Sequence, residues 1–169
     1  MKHIISVLLL TFVPLLLSAQ ETNPKEHSFF TPLIDKEWTG NGILMGKDAT
    51  FIMNWERLWE GKFIKLQFQN NQKLEDNNEI IFMATAYYQI VNEMDVRGHW
   101  FDSRGISFPL RGTIDKNTMT ILWGNEDTEQ GKTVYHHQRD SDNVTVEDFI
   151  LNKGEYFKFG SATYTINKG

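Results

Sequence analysis

The 169-residue chain contains no cysteine. Disulfides, thiolate metal sites, cysteine nucleophiles and iron–sulfur clusters are thereby excluded together. So is a bacterial lipid anchor, which needs a cysteine at the start of the mature chain; the protein does not read as a lipoprotein. Proline is scarce, with four residues. Only Pro109 falls inside a strand candidate, where its missing N–H places it at an edge or a bulge. Basic residues are outnumbered, seventeen Lys and Arg against twenty-two Asp and Glu. There is no basic stripe to neutralise phosphates and no basic amphipathic helix to lie on a membrane. Nucleic acid and acidic partners are not expected; neutral or cationic small molecules remain open.

Only one long hydrophobic run is present. Met1-Lys2-His3 is a short positive start, Ile4 to Leu17 is nearly all apolar, and Leu17-Ser18-Ala19 ends in a small residue. About twenty apolar residues are needed to span a bilayer, so this run is too short, and Pro14 interrupts it. Residues 1–19 therefore read as a signal peptide cleaved after Ala19, with no membrane contact once it is removed. The expected location is the periplasm or outside the cell. Export without cysteine favours a bacterial source, since secreted animal domains often carry disulfides. Without Lys2 the mature chain has a formal net charge of −6, and its 150 of 169 residues suit one domain.

Residues 20–36 form a leader and a short helical turn. Gln20 to Ser28 is polar, and Phe29 to Lys36 sets Phe29, Phe30, Leu33 and Ile34 around Pro32. From Glu37 to the end, short apolar runs alternate with clusters of Gly, Asn and Asp. Ten strand candidates start near Trp38, Thr50, Lys62, Ile80, Val96, Ile106, Thr118, Lys132, Val144 and Glu155. The breaks include Gly46-Lys47-Asp48, Asn70 to Asn78, Asp102-Ser103-Arg104-Gly105, Asp140 to Asn143 and Asn152-Lys153-Gly154. Such residues accept positive φ or bond their own backbone. Short connections make consecutive strands antiparallel neighbours. The expected fold is all-β: an up-and-down antiparallel barrel of about ten strands over 37–169, since closure removes sticky edges.

Alternation assigns inner faces. Phe51, Met53 and Trp55 face in, as do Ile64, Leu66 and Phe68, then Phe82, Ala84, Ala86 and Tyr88. Val96 and Trp100, Ile106, Phe108 and Leu110, and Met119, Ile121 and Trp123 follow the same logic. Ala84, Ala86, Gly98 and Gly112 beside large aromatics leave room for a cavity, though a filled core would use the same aromatics.

Few polar groups compete for a chemical role. His136 and His137 are adjacent on a strand and so face opposite ways; no spacing supplies a metal site. Arg57 is in phase with Trp55, and Asp148 with Val144, Val146 and Ile150. Each is either a strand-end residue reaching solvent or a group that orients a polar ligand end. Asp102-Ser103-Arg104-Gly105 reads as a tight turn rather than a catalytic pair, because Ser103 has no base. Glu126, Asp127 and Glu129 read as a solvated loop.

Glu37-Trp38-Thr39-Gly40-Asn41-Gly42 resembles the entry strand of lipocalin-like (calycin) barrels, where a Trp beside Gly plugs one end. Trp55-Glu56 and Gly61-Lys62-Phe63, with Leu66 and Phe68, are similar to nitrobindin-type barrels. The stretch Gly98 to Gly105 and Trp123-Gly124, with Gly131 and Tyr135, resemble exported bacterial lipocalin-like proteins of unknown function. The resemblance implies a lipocalin-like barrel. Nitrobindin-type barrels bind haem through a late histidine; here the last two strands have none, so haem is not carried over and no cofactor is expected.

The leading expectation is thus an exported lipocalin-like barrel, monomer or homodimer, holding a small apolar or amphipathic molecule. The candidate ligand-binding residues are Trp55, Arg57, Phe68, Tyr88, Trp100, Phe108, Trp123 and Tyr135. An enzyme of cyclase or isomerase type is the alternative, using Tyr, Arg and a carboxylate in the cavity. A filled barrel acting as an interaction module is the third.

Overall fold

A computed structural model describes residues 29–74, 78–138 and 142–168. The expected signal peptide over 1–19 and the polar leader over 20–28 lie outside the described residues. Ten strands follow in chain order: β1 Glu37–Leu44, β2 Lys47–Leu58, β3 Phe63–Lys73, β4 Glu79–Ile90, β5 Asp95–Asp102, β6 Ser107–Asp115, β7 Thr118–Trp123, β8 Gly131–His137, β9 Asn143–Asn152 and β10 Glu155–Ile166. Each pairs antiparallel with its neighbours, and β1 pairs with β10, so the sheet closes as an up-and-down barrel.

The turns explain the topology. Met45-Gly46 and Lys153-Gly154 each join two strands with φ of 50° and 78°, and of 50° and 85°. Two successive positive φ values match the twist of flanking strands, which favours tight hairpins. Within strands, alternation sets the core. Phe51, Met53, Trp55, Ile64, Leu66, Ala84, Ala86, Tyr88, Met119 and Ile121 are all buried.

One end of the barrel is plugged. In Phe29–Lys36 the amides of Leu33 and Ile34 both bond the Phe30 carbonyl, at 2.9 and 3.2 Å. One turn forms but no helix follows, because Asp35 takes a φ of 57° and its amide bonds the Trp55 carbonyl. Phe30 lies 5.7 Å from the Trp55 ring and 6.4 Å from Tyr88. Trp38 closes the seal: it is 1% exposed and its indole N–H donates to the Leu33 carbonyl at 3.1 Å.

Two local expectations need correction. Asn70 to Lys73 is not a break but the end of β3; Asn70 is buried and Gln72 donates to the Leu44 carbonyl at 2.7 Å, so polar side chains line the barrel there. Pro109 sits on neither a free edge nor a bulge, since it pairs with His99 inside β6. Its carbonyl accepts from Gly124, just beyond the β6–β7 ladder that starts at Leu110 and Trp123. The N of a strand residue points to the same side as its carbonyl, so the missing N–H faces the loop after β7 and breaks no ladder bond.

Closure of β1 on β10 depends on Gly42. A Cβ there would lie 1.9 Å from the Ser161 carbonyl oxygen, which is backbone and cannot swing away. Gly42→Ala is expected to destabilise by about 2–3 kcal/mol, read as a lower urea midpoint at unchanged slope. An unchanged midpoint would mean the seam yields freely.

Candidate functional site

The end opposite the plug is open. It leads into a cavity of about 470 Å³. Its upper wall is aromatic: Phe68, Phe82 and Trp100 pack with ring centroids 5.9 to 6.5 Å apart. The wall continues through Phe108, in register beside Trp100, which meets Trp123 at 5.7 Å. Gly131 makes room for Trp123, since a Cβ there would come within 2.2 Å of the indole ring.

The mouth is pinned by an ion-pair network. Arg104 Nη2 donates to Asp102 at 2.8 Å and Nη1 to Glu129 at 3.2 Å, tying the β5–β6 turn to the β7–β8 loop. The Arg104 guanidinium also sits 5.7 Å from the Phe82 ring. Burial pushes the Asp102 carboxyl up, but bonds from Arg104 and Trp100 outweigh it and hold the group below its ordinary value. The segment is otherwise a turn, as expected: the Arg104 amide bonds Asp102 Oδ1 at 2.9 Å, and Gly105 has a φ of 79°. Glu126 and Asp127 are exposed.

Deeper in the lumen lies a carboxyl, Asp148 on β9. Thr133 on β8 donates to its Oδ1 at 2.6 Å. Opposite it β10 shifts register between Lys158 and Gly160, and a Cβ on Gly160 would come within 3.2 Å of Asp148 Oδ2. The glycine and the irregularity together leave the carboxyl its space. Burial pushes Asp148 up to about 6, against the opposing pull of the Thr133 bond. Tyr88, Tyr135 and Tyr164 also line the cavity. Burial raises all three phenols, and the Asp148 charge adds to it. Tyr88 and Tyr135 share a hydrogen bond between their hydroxyls. Beneath them Trp55 stacks on Tyr88 at 5.8 Å and meets Tyr135 edge-on at 5.6 Å.

Of the residues predicted from sequence, Phe68, Tyr88, Trp100, Phe108, Trp123 and Tyr135 surround this cavity. Trp55 does not line it; it is the buried floor between cavity and plug. Arg57 does not reach the cavity and drops out of the candidate ligand-binding set; of its two readings the structure shows the strand-end one. It is exposed at the end of β2, where Nη2 donates to Thr31 Oγ1 at 3.4 Å. Two residues past Trp55 the strand has passed the plug, so the inward phase leads out of the closed end.

Asp148 is on the inner face, as its phase predicts, and of its two readings it is the one in the lumen, while Thr133, Tyr164 and Arg104 were not among the expected site residues. Alternation of Tyr164 with Ala162 and Gly160 on β10 was the available signal. Among the described residues no histidine lines the cavity. His99 and His136 are exposed, and His137 packs 6.3 Å from Trp38 at the closed end. Among the described residues no group of three or more His, Asp or Glu could hold a metal ion.

No protein-family model matches the sequence, and no curated protein sequence does. Among solved structures, the chain is similar to the crystal structure of Rv2717c from M. tuberculosis, with a TM-score of 0.63 at 12% identity. The match covers 82% of this chain and 95% of that one. At that identity the likeness is one of fold, and the fold it shows is an antiparallel barrel.

Proposed function

We propose that this chain is an exported, lipocalin-like binding protein that holds a small apolar or amphipathic molecule in its lumen. The observation that carries the reading is the open, aromatic-walled cavity of about 470 Å³. Its size falls in the range of small-molecule sites, and it pairs apolar walls with few polar groups. A filled barrel would have packed this space with side chains at crystal-like density.

N-phenyl-1-naphthylamine, an uncharged apolar fluorophore, tests the reading. It is expected to bind one-to-one with a blue-shifted, enhanced emission and to alter the emission of Trp100 and Trp123. Val146→Phe adds volume inside the lumen and is expected to weaken binding at least tenfold while the variant stays folded. Absence of binding by the wild type, or equal binding by Val146→Phe, would contradict a lumenal site.

One observation favours a second reading, an isomerase-type enzyme. Asp148 sits near pH 6 beside tyrosine hydroxyls inside the cavity, the pairing that removes a proton next to a carbonyl and supports the resulting enolate oxygen. Deuterium exchange from D2O into cyclohexenone, absent in Asp148→Asn, is the result this reading requires. Exchange at the buffer rate would remove it.

A further inference from the structure

We propose that the ligand of this lumen is an amphipathic organic cation, an apolar body bearing a protonated amine, and that the Asp148 carboxylate selects it. The inference rests on the binding reading above and names the chemical class of its ligand.

Asp148 lies below the aromatic wall. On β9 it is two residues further from the β9–β10 turn than Ile150, which aligns through Gly131 with Trp123. The acidic residues among the cavity's described lining are Asp148 and Glu129, and the cationic one is Arg104. Arg104 and Glu129 are at the mouth, paired with each other, and Arg104 also pairs with Asp102. No protein cation therefore reaches the deep carboxylate among the described lining residues.

The acceptor capacity of that carboxylate is underused. An ionised carboxylate offers about four lone-pair sites. Thr133 takes one on Oδ1, and Oδ2 lies within 3.2 Å of where a Cβ on Gly160 would stand, with no other side-chain donor to the carboxylate among the described residues. A protonated amine supplies only donors, so it complements the group, and a charge-assisted bond in a partly enclosed cavity is stronger than one in bulk water. A carboxylate or phosphate ligand would meet like charge at low dielectric. The path inward runs past Phe82, Trp100 and Trp123, whose rings favour an apolar body. Hydroxyls of Tyr88, Tyr135 and Tyr164 offer acceptors for remaining ammonium protons. The chain's net charge of −5 also draws cations toward it.

Displacement of N-phenyl-1-naphthylamine by decylamine, decanol and decanoate tests the proposal. These three share a chain length and differ in head-group charge. At pH 7.5 decylamine is expected to displace the probe at a concentration at least tenfold below that of decanol, with decanoate weakest. In Asp148→Asn the probe still binds and the preference for the amine falls below threefold.

In the wild type the preference shrinks as pH falls from 7 to 5 and Asp148 takes up its proton. The groups facing Asp148 are Thr133 and Tyr135 from β8, Tyr88 from β4 and Tyr164 from β10, with Arg104, Glu129 and Asp102 at the mouth. The tyrosines titrate far above this range. The wild-type series stands even if the variant does not fold. Equal displacement by decanol, a preference that survives Asp148→Asn, or one unchanged from pH 7 to 5 would overturn the proposal while leaving the binding reading intact. Failure of the probe itself to bind overturns both.

Discussion

Asp148→Asn is expected to make the protein more stable at pH 8, not less. The unfolded carboxyl ionises near its ordinary value of 3.8 and the folded one near 6. The folded state thus holds the proton more tightly. The group's contribution to stability is complete below 3.8, declines as pH rises through 6, and is gone above it. Above that pH the partly buried anion is disfavoured by about 3 kcal/mol relative to its protonated form. Asparagine keeps an acceptor for the Thr133 hydroxyl and carries no charge, so about 2 kcal/mol is recovered at pH 8 and almost nothing at pH 4. Near this chain length that is a rise in Tm of roughly 4–8 °C. Thermal melts of both proteins from pH 4 to pH 8 check it. Parallel curves, with no divergence through pH 6, would show that the carboxyl is well solvated. Retaining an anion at such a cost is the pattern of a binding group kept at the expense of stability.

Trp38→Ala is expected to act in the other direction and at the other end. Trp38 is 1% exposed, packs beside His137 and donates to the Leu33 carbonyl. Its loss removes a large buried side chain and leaves that carbonyl without its donor, costing about 3–5 kcal/mol. A fall in Tm of roughly 6–20 °C follows for a domain of this size. Trp38→Phe fills much of the space and should cost less than half as much. The plug holds the Trp55 floor in place, so a loosened plug is also expected to raise amide exchange in β2 near Trp55 before other strands. A shift in Tm below 2 °C for Trp38→Ala would mean that the turn over Phe29–Lys36 seals nothing.

Strand number, order and facing were legible in the sequence because local rules set them. Gly46, Gly105 and Gly154 stand where positive φ is required, and period-two alternation put Phe51, Met53, Trp55 and their counterparts inside. Depth was not legible. Alternation says which wall a side chain faces but not how far along the barrel axis it lies. Arg57 and Asp148 share an inward phase, yet one ends beyond the plug and the other in mid-lumen. The polar end of β3 was misread for a related reason: Asn70 and Gln72 look like turn residues until a cavity needs polar groups at its rim. Pro109 is legible only once the short length of β7 is known, because that length frees its flank from ladder bonding. The contact of Thr133 with Asp148 joins two strands whose register depends on a connection partly outside the described residues.

The central claim is that an open lumen holds a partly buried carboxyl at the depth where a ligand's polar end would rest. The most direct test is the side-chain carboxyl 13C resonance of Asp148, assigned by comparison with Asp148→Asn and followed from pH 3 to pH 9 with and without decylamine. A midpoint near 6 in the empty protein, moving downward when the amine is bound, is the predicted result. A midpoint near 3.8 that the amine leaves unchanged would contradict it.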